Sequence, residues 1–467
     1  MENNIVKVVL WGMTVGYLQW QSDNWKTEGS IFQFDRSFLE RGLDISPLRL
    51  SINNPSIQRI PRLVGGYKKD RFKGLPPVFA DSLPDHWGTR LFQAWAKKEG
   101  VKMSRTNAVD MLSFIGTRGM GALEYFPAMI ADEDVPFDVD VEKLYAFARS
   151  VLEERSEPSF EADKELLWQD LVKLGTSPGG KRPKALVAIN RESNVIKSGQ
   201  VSNLPEGFEH YILKYDNEKD MFPYARMEYA YCLMCRDCGI RMEESELRQF
   251  EHSSHFITRR FDRSGSEKIH MQSLRAMVGG AESYEEAFDV VERLKLNYSD
   301  KEQLFRIMAF NVIAGNIDDH DGNLSFLMDK KGTWELAPAY DMVYSIEPDA
   351  LYSQKGQFMS VNGKNQEITK EDLIRVGRKY GIRNPGESIE RILDVVSRID
   401  ERLSGLGVSN KTRKMIEGEL NAKYSELASK TSVLIKESVV DRAKAAYKAL
   451  VDAEIKDDGR SKNKFSK

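Results

Sequence analysis

The stretch Gly315-Asn316-Ile317-Asp318-Asp319-His320-Asp321-Gly322-Asn323 constrains this chain more than any other. It sets a carboxylate, Asp318, five residues before a carboxamide, Asn323. A second carboxylate follows in Pro338-Ala339-Tyr340-Asp341. Asp, Asn, Gly and His also crowd ordinary turns, because they tolerate unusual backbone angles and bond their own main chain. The other reading is chemical. Moving a phosphoryl group asks little covalent work of a protein. It asks for a divalent metal on the phosphate oxygens and one group that aligns the attacking oxygen. What precedes the loop has to decide between turn and site.

Upstream, Leu174-Gly175-Thr176-Ser177-Pro178-Gly179-Gly180-Lys181-Arg182-Pro183-Lys184 is a Gly/Ser loop with basic residues. Amides freed by glycine can cradle phosphate oxygens, and lysines add charge. The G-x-x-x-x-G-K-[ST] pattern is not met, since Arg182 follows Lys181. Surface loops also combine these residues, so the loop alone is weak. The apolar run Ala185-Leu186-Val187-Ala188-Ile189 predicts a strand, and His210-Tyr211-Ile212-Leu213-Lys214 a second one ending in lysine. A helix carrying Glu228 follows, then a strand over 254–261, then mainly helices from Ser283, broken by short strands near 324–328 and 333–336. A strand-end lysine and a helix glutamate are each ordinary. Their order is not: phosphate loop, strand, strand-end Lys, helix Glu, linking strand, helices, Asp–Asn loop and a later Asp is the order of a protein kinase. In it Asp318 aligns the acceptor. Asp319 and Asp321 lack the five-residue offset to Asn323. His320 serves either to orient the loop and meet the acceptor or to pack it.

Composition bounds the rest. A chain of 467 residues carries two to four domains or subdomains. With 41% hydrophobic and 30% charged residues it is globular and not disordered. A net charge of −3 does not favour polyanion binding by the whole chain. No apolar run reaches membrane-spanning length, and alternation over Val6, Lys7, Val8, Val9, Leu10 and Trp11 reads as a strand and not a signal peptide, so residence in the cytoplasm is expected. Cys232, Cys235 and Cys238 have the spacing of a metal motif. They fall on one drifting face of a helix that ends at Gly239, and no fourth cysteine exists, so a core role is expected. Residues 131–165 are acidic, then helical; the tail over 412–453 is amphipathic, and its end, 456–467, reads as disordered.

Several blocks resemble the HipA family of toxin kinases. Phe79-Ala80-Asp81-Ser82-Leu83-Pro84-Asp85-His86-Trp87-Gly88 is similar to its N-terminal block, and Gly119-Met120-Gly121-Ala122-Leu123-Glu124-Tyr125 to the block after it. Gly179-Gly180-Lys181-Arg182-Pro183-Lys184-Ala185 resembles its G-G-x-R-P-K-A loop, and Arg260-Phe261-Asp262-Arg263 its R-F-D-R segment. Asp318-x-His320-x-x-Asn323 and Tyr340-Asp341 resemble its catalytic and metal segments.

The resemblance implies an α+β, two-lobed, protein-kinase-like fold with a mixed α/β N-terminal subdomain and an all-helical C-lobe. The expected divisions are an N-terminal subdomain at 1–130, a connection at 131–170 and a kinase N-lobe at 171–282. A helical C-lobe at 283–410 and a C-terminal helical extension with a disordered tail at 411–467 complete the chain. It implies an ATP- and Mg²⁺-dependent serine/threonine kinase with Asp318 catalytic beside His320, and Asn323 and Asp341 on Mg²⁺. ATP is met by Thr176, Ser177, Gly179, Gly180, Lys181 and Lys214, with Glu228 pairing the lysine. Autophosphorylation is expected at Thr176 or Ser177. The implied partners are a HipB-like helix-turn-helix antitoxin, DNA only through that antitoxin, and a protein substrate of the aminoacyl-tRNA synthetase kind; no membrane is implied. Two rival readings are a catalytically weak co-repressor acting with the antitoxin and a small-molecule kinase.

Overall fold

A computed structural model of the chain describes residues 5–21, 29–55, 62–63, 69–103, 106–130, 136–153, 162–174, 183–201, 203–216, 222–251, 253–347 and 355–428. They gather into two compact units, each assembled from three chain segments. The first takes Met1–Asp216, Glu243–Ala281 and Asp321–Pro338; the second takes Asn217–Met242, Glu282–His320 and Ala339–Lys467.

The first unit holds the sheets. Strands β1 (Ile5–Leu10), β2 (Met13–Gln21), β3 (Gly29–Phe34), β4 (Arg62–Leu63) and β5 (Leu123–Phe126) pair antiparallel in the order β4-β3-β2-β1-β5. Trp11 and Gly12, between β1 and β2, both have positive φ, as a two-residue hairpin turn with the strands' own twist requires. Val6 and Val8 are buried while Ile5 and Lys7 face solvent, the period of a half-buried strand. Their core includes Leu18, Phe32, Phe34, Phe38 and Phe79, with Leu112 from the helix Ala108–Ile115. The helices of this region, before residue 130, are mostly short. Among the described residues there are five, three of them single turns (Arg36–Leu39, Lys69–Phe72, Pro77–Ala80) too short to carry a 3.6-residue period.

The second sheet is β6 (Lys184–Asn190), β7 (Val195–Ser198), β8 (Phe208–Lys214), β9 (Ser245–Gln249) and β10 (Ser254–Arg259), antiparallel in the order β7-β6-β8-β10-β9. β6 is buried from Lys184 to Ile189, which explains its continuous apolar run. Trp87, Leu91 and Phe92 from His86–Lys98, Leu144 and Ala148 from Val141–Glu153, and Trp168 and Leu171 from Ala162–Leu174 share a core with Val187, Tyr211, Leu213 and Ile257 of this sheet. After the short pair β11 (Arg263–Ser264) and β12 (Glu267–Lys268), β13 (His270–Ser273) pairs with β14 (Ser325–Met328), which pairs with β15 (Trp334–Leu336).

The strands β14 and β15, which the sequence leads one to expect near 324–328 and 333–336, correct the all-helical lobe over 283–410 that the family resemblance implied. They leave the helical run to complete a sheet begun by β13 more than fifty residues earlier, where their backbone groups pair across strands. The chain as a whole is mixed α/β.

The second unit is built on Tyr224–Asp237, Tyr284–Arg293, Tyr298–Ile313, Lys370–Lys379, Pro385–Ser397, Ile399–Gly405 and Asn410–Ala428. Tyr298–Ile313 is buried over most of its surface, the mark of a central helix. Ser283 with Glu286, and Thr369 with Asp372, form capping boxes that fix where two of these helices start. Cys232, Cys235 and Cys238 lie buried along Tyr224–Asp237, and Gly239 follows at φ +73 as the helix stop. Burial raises the Cys235 thiol and pushes that of Cys238 up to about 12, so both are inert thiols. Among the described residues no helix is long and apolar enough to cross a membrane.

Candidate active site

Asp318 is exposed at the head of a loop whose backbone is fixed from below. Ser345 Oγ accepts from the amides of Ile317 (2.8 Å) and Asp318 (3.0 Å), and itself donates to Asn316 Oδ1 at 3.2 Å. The Asn316 amide donates to Asn311 Oδ1 at 2.9 Å and to the carbonyl of Asp341 at 3.5 Å. Within the helical unit this last bond joins the base of the Asp318 loop to Asp341. Asp341 has φ +52, in the left-handed region that non-glycine residues seldom occupy and that clusters at functional sites.

The next residue, Asp319, points inward and is almost wholly buried. Its Oδ1 accepts from the amides of Phe358 (2.7 Å) and Met359 (3.4 Å). Its Oδ2 accepts from Tyr284 Oη (2.7 Å) and Gln357 Nε2 (3.0 Å). Burial lifts this carboxyl to about 6, although the four donors pull it the other way. Gln357 Nε2 also reaches the Asn316 carbonyl at 3.0 Å, and Tyr284 Oη accepts from Asn311 at 2.8 Å, which closes the network. The C-terminal helix joins it: Lys423 Nζ donates to Gln357 Oε1 at 3.4 Å and to the Val312 carbonyl at 3.3 Å. The His320 ring meets Phe358 edge-on, centroids 5.6 Å apart.

The chain passes into the first unit between His320 and Asp321. There Asp321 is buried and paired with Arg71 (2.6 Å) and Arg275 (2.8 Å), and it accepts from the Ala281 amide at 2.9 Å. Asn323, half-buried, follows two residues later and leads into β14. Asp321 thus anchors the segment that presents Asn323.

Lys214 ends β8 with its ammonium over the Phe256 ring, 5.9 Å from the centroid. Its neighbour in register on β6 is Lys184, the lysine of the G-G-x-R-P-K-A block. Lys184 is buried and paired at 3.3 Å with Asp85, whose other oxygen caps the His86–Lys98 helix through the Gly88 amide at 2.5 Å. The glycine loop's downstream end is therefore tied to the Leu83-Pro84-Asp85 turn. Thr176, Ser177, Gly179, Gly180 and Lys181 lie outside the described residues. Glu228 is half-buried on Tyr224–Asp237 in the helical unit.

Arg260-Phe261-Asp262-Arg263 proves to be a clasp. Asp262 is buried and takes Arg260 (2.7 Å), Arg263 (2.8 Å) and the Gly121 amide (2.7 Å). Arg263 returns bonds to the carbonyls of Gly121 (3.0 Å) and Gly119 (3.1 Å). Burial works to raise the Asp262 carboxyl, but the two guanidiniums outweigh it and hold it below its ordinary value. Two sequence blocks some 140 residues apart are thus one object.

Sequence reasoning brought out Asp318, Asn323 and Asp341. It missed Ser345, Gln357, Tyr284 and Arg71. None had a local signal, because each acts on a partner at least 27 positions away. The oxygen-only donors Asn323 and Asp341 are of the kind a hard cation such as Mg²⁺ prefers. Among the described residues no three His, Cys, Asp or Glu side chains gather to hold a metal unaided.

Comparison with known proteins agrees with these blocks. Residues 6–126 match the family model of the HipA N-terminal domain, and residues 176–403 that of the HipA-like C-terminal domain. A Haemophilus influenzae protein named "Putative kinase" is 24% identical over 265 residues, covering 49% of this chain and 74% of that protein. A chain of the Shewanella oneidensis MR-1 toxin–antitoxin complex of HipA, HipB and operator DNA has the same fold. Its TM-score is 0.60 at 14% identity, over 91% of this chain and 96% of that chain. The Helicobacter pylori proinflammatory kinase CtkA aligns with 52% of this chain and 92% of its own, at 13% identity and a TM-score of only 0.34. The two matched models follow one another in family order and take in most of the sequence, including the clasp, the Asp318–Asn323 loop and Asp341: the chain belongs to the HipA family.

Proposed function

We propose that this chain is a serine/threonine protein kinase that uses ATP and Mg²⁺ and serves as the toxin of a toxin–antitoxin pair. The observation that carries the reading is the contrast between Asp318 and Asp319. One carboxylate is exposed on a backbone held by Ser345, while its neighbour is buried as the loop's anchor. A carboxylate presented on so fixed a support suits the alignment of an acceptor hydroxyl, and positioning supplies most of phosphoryl-transfer catalysis.

In this reading ATP is the phosphoryl donor, and Mg²⁺, when bound, would neutralise the phosphate charge. Asp318 accepts the hydrogen bond of the acceptor hydroxyl and takes its proton late in the transfer. His320, against Phe358, keeps the loop's outer face in place. Asn323 and Asp341 hold the metal, and Lys214, with Glu228 as its partner, meets the phosphates. The 176–181 loop covers the nucleotide, and Thr176 or Ser177 within it is the site of self-phosphorylation. The fold shared with a chain of a HipA–HipB–operator complex supports a small helix-turn-helix protein as partner, and DNA contact through it. An aminoacyl-tRNA synthetase is the proposed class of target, and the cytoplasm the proposed compartment.

The test is to incubate the purified protein with Mg²⁺ and ATP and map phosphate by mass spectrometry, beside Asp318→Ala. The wild type should label Thr176 or Ser177. Asp318→Ala should transfer about a thousandfold more slowly or worse, as loss of an alignment group does. Undiminished transfer by Asp318→Ala would overturn the assignment.

A further inference from the structure

Three arginines of the first unit come together beside the Asp321 segment. Arg71 and Arg275 share the buried Asp321 carboxylate, their side chains 25% and 35% exposed. Arg49 is exposed, and among the described residues no carboxylate pairs with it. Its guanidinium lies against Gly279, where an added Cβ would fall 2.7 Å from a terminal nitrogen. Arg71 lies against Gly280 in the same way, and a Cβ there would strike it. Gly279 and Gly280 have φ of +85 and +112, so two consecutive positions favour glycine twice over, for backbone angle and for arginine approach. Two guanidiniums therefore lie close to one bare stretch of main chain, with the third held by the same carboxylate as Arg71.

We propose that Arg49, Arg71 and Arg275 form a receptor for a phosphate monoester carried on a peptide side chain. The charge count points there. Asp321 satisfies part of two guanidiniums. Asp81, the other carboxylate acting on Arg275, is occupied by the Ser273 amide and hydroxyl, both at 2.6 Å. Among the described residues both of these carboxylates are already engaged, and all three guanidiniums reach solvent. Guanidinium forks match the geometry of phosphate oxygens and bind a dianion with paired, charge-assisted bonds. The cluster is a compact point and not a track, and the whole chain carries −3, which disfavours a nucleic acid backbone as the occupant. Because Asp321 lies two residues before Asn323, an occupant that draws Arg71 or Arg275 acts on the anchor of that segment.

The experiment is fluorescence anisotropy with a labelled peptide bearing one phosphoserine, beside its unphosphorylated twin, on the full chain. It uses neither ATP nor Mg²⁺, so it succeeds or fails independently of the phosphotransfer reading. The phosphopeptide should bind at least about tenfold more tightly than its twin, and Arg49→Gln should remove about tenfold of that affinity, the size of a lost bond to a charged group. Arg49 is exposed, so the variant should melt with the wild type. Should it melt early, Arg49→Lys, which keeps the charge and loses the fork, must show an intermediate loss. Equal binding of the two peptides, or unchanged binding by a folded Arg49→Gln, overturns the proposal. So does inorganic phosphate binding as tightly as the peptide, which would make free phosphate the ligand, or an RNA oligomer that outcompetes it.

Discussion

Three aspartates within four positions meet three different fates. Asp318 stays exposed, Asp319 is buried under four donors, and Asp321 is buried between two arginines. The five-residue offset to Asn323, the spacing of a kinase catalytic loop, singles out Asp318 in the sequence. Nothing local tells which neighbours turn inward, since the donors to Asp319 come from Tyr284, Gln357, Phe358 and Met359. Burial makes a measurable difference at Asp319. Its carboxyl sits at about 6 in the fold against an ordinary 3.8, so the folded chain keeps a proton there that the unfolded chain has released. This group therefore favours folding most below about pH 4, and the contribution is lost as pH rises through about 6. Thermal midpoints across that window should show a component that falls with rising pH in the wild type and is absent in Asp319→Asn. A slope identical in both proteins would mean that Asp319 does not titrate there.

Among the elements, the helix Asn410–Ala428 shows how far periodicity carries and where it stops. Its amphipathic pattern predicts a helix, but not what covers its apolar side. In the fold Ile416, Leu420 and Leu427 are buried, and Lys423 reaches Gln357 within the network that holds Asp319. Leu420 also approaches Gly315, at the start of the Asp318 loop, where a Cβ would come within 3.2 Å of its side chain. A residue at 420 thus supports a loop a hundred positions upstream, and no local signal announces that pairing. Leu420→Ala should destabilise the protein by about 2–5 kcal/mol, the range for an aliphatic side chain cut from a core. Urea unfolding measures this, and a change below about 0.5 kcal/mol, typical of a surface site, would show that the helix does not brace this core. The clasp around Asp262 and the pairing of β14 with β13 were hidden for the same reason, although the strands themselves were legible. The partners, Gly119–Gly121 and β13, are remote in sequence, and strand pairing at such separation leaves no periodic trace.

At the level of the whole molecule, the chain crosses between its units five times, and this governs what can be cut from it. A boundary drawn by sequence composition invites expression of the N-terminal part alone. The first unit, however, needs Asp321–Pro338: β14 and β15 complete the sheet with β13, and Asp321 neutralises Arg71 and Arg275. A fragment ending at Ala281 leaves β13 as an open edge and removes a buried carboxylate from between two guanidiniums. Open edges promote association between chains, and breaking a buried pair costs about 3–5 kcal/mol. The fragment 1–281 should therefore unfold at lower urea than the intact chain and associate at concentrations where the intact chain does not. Circular dichroism and light scattering measure the two effects separately. A fragment as stable and as monodisperse as the whole would mean that the segment after Asp321 is an accessory to the first unit and not one of its structural parts.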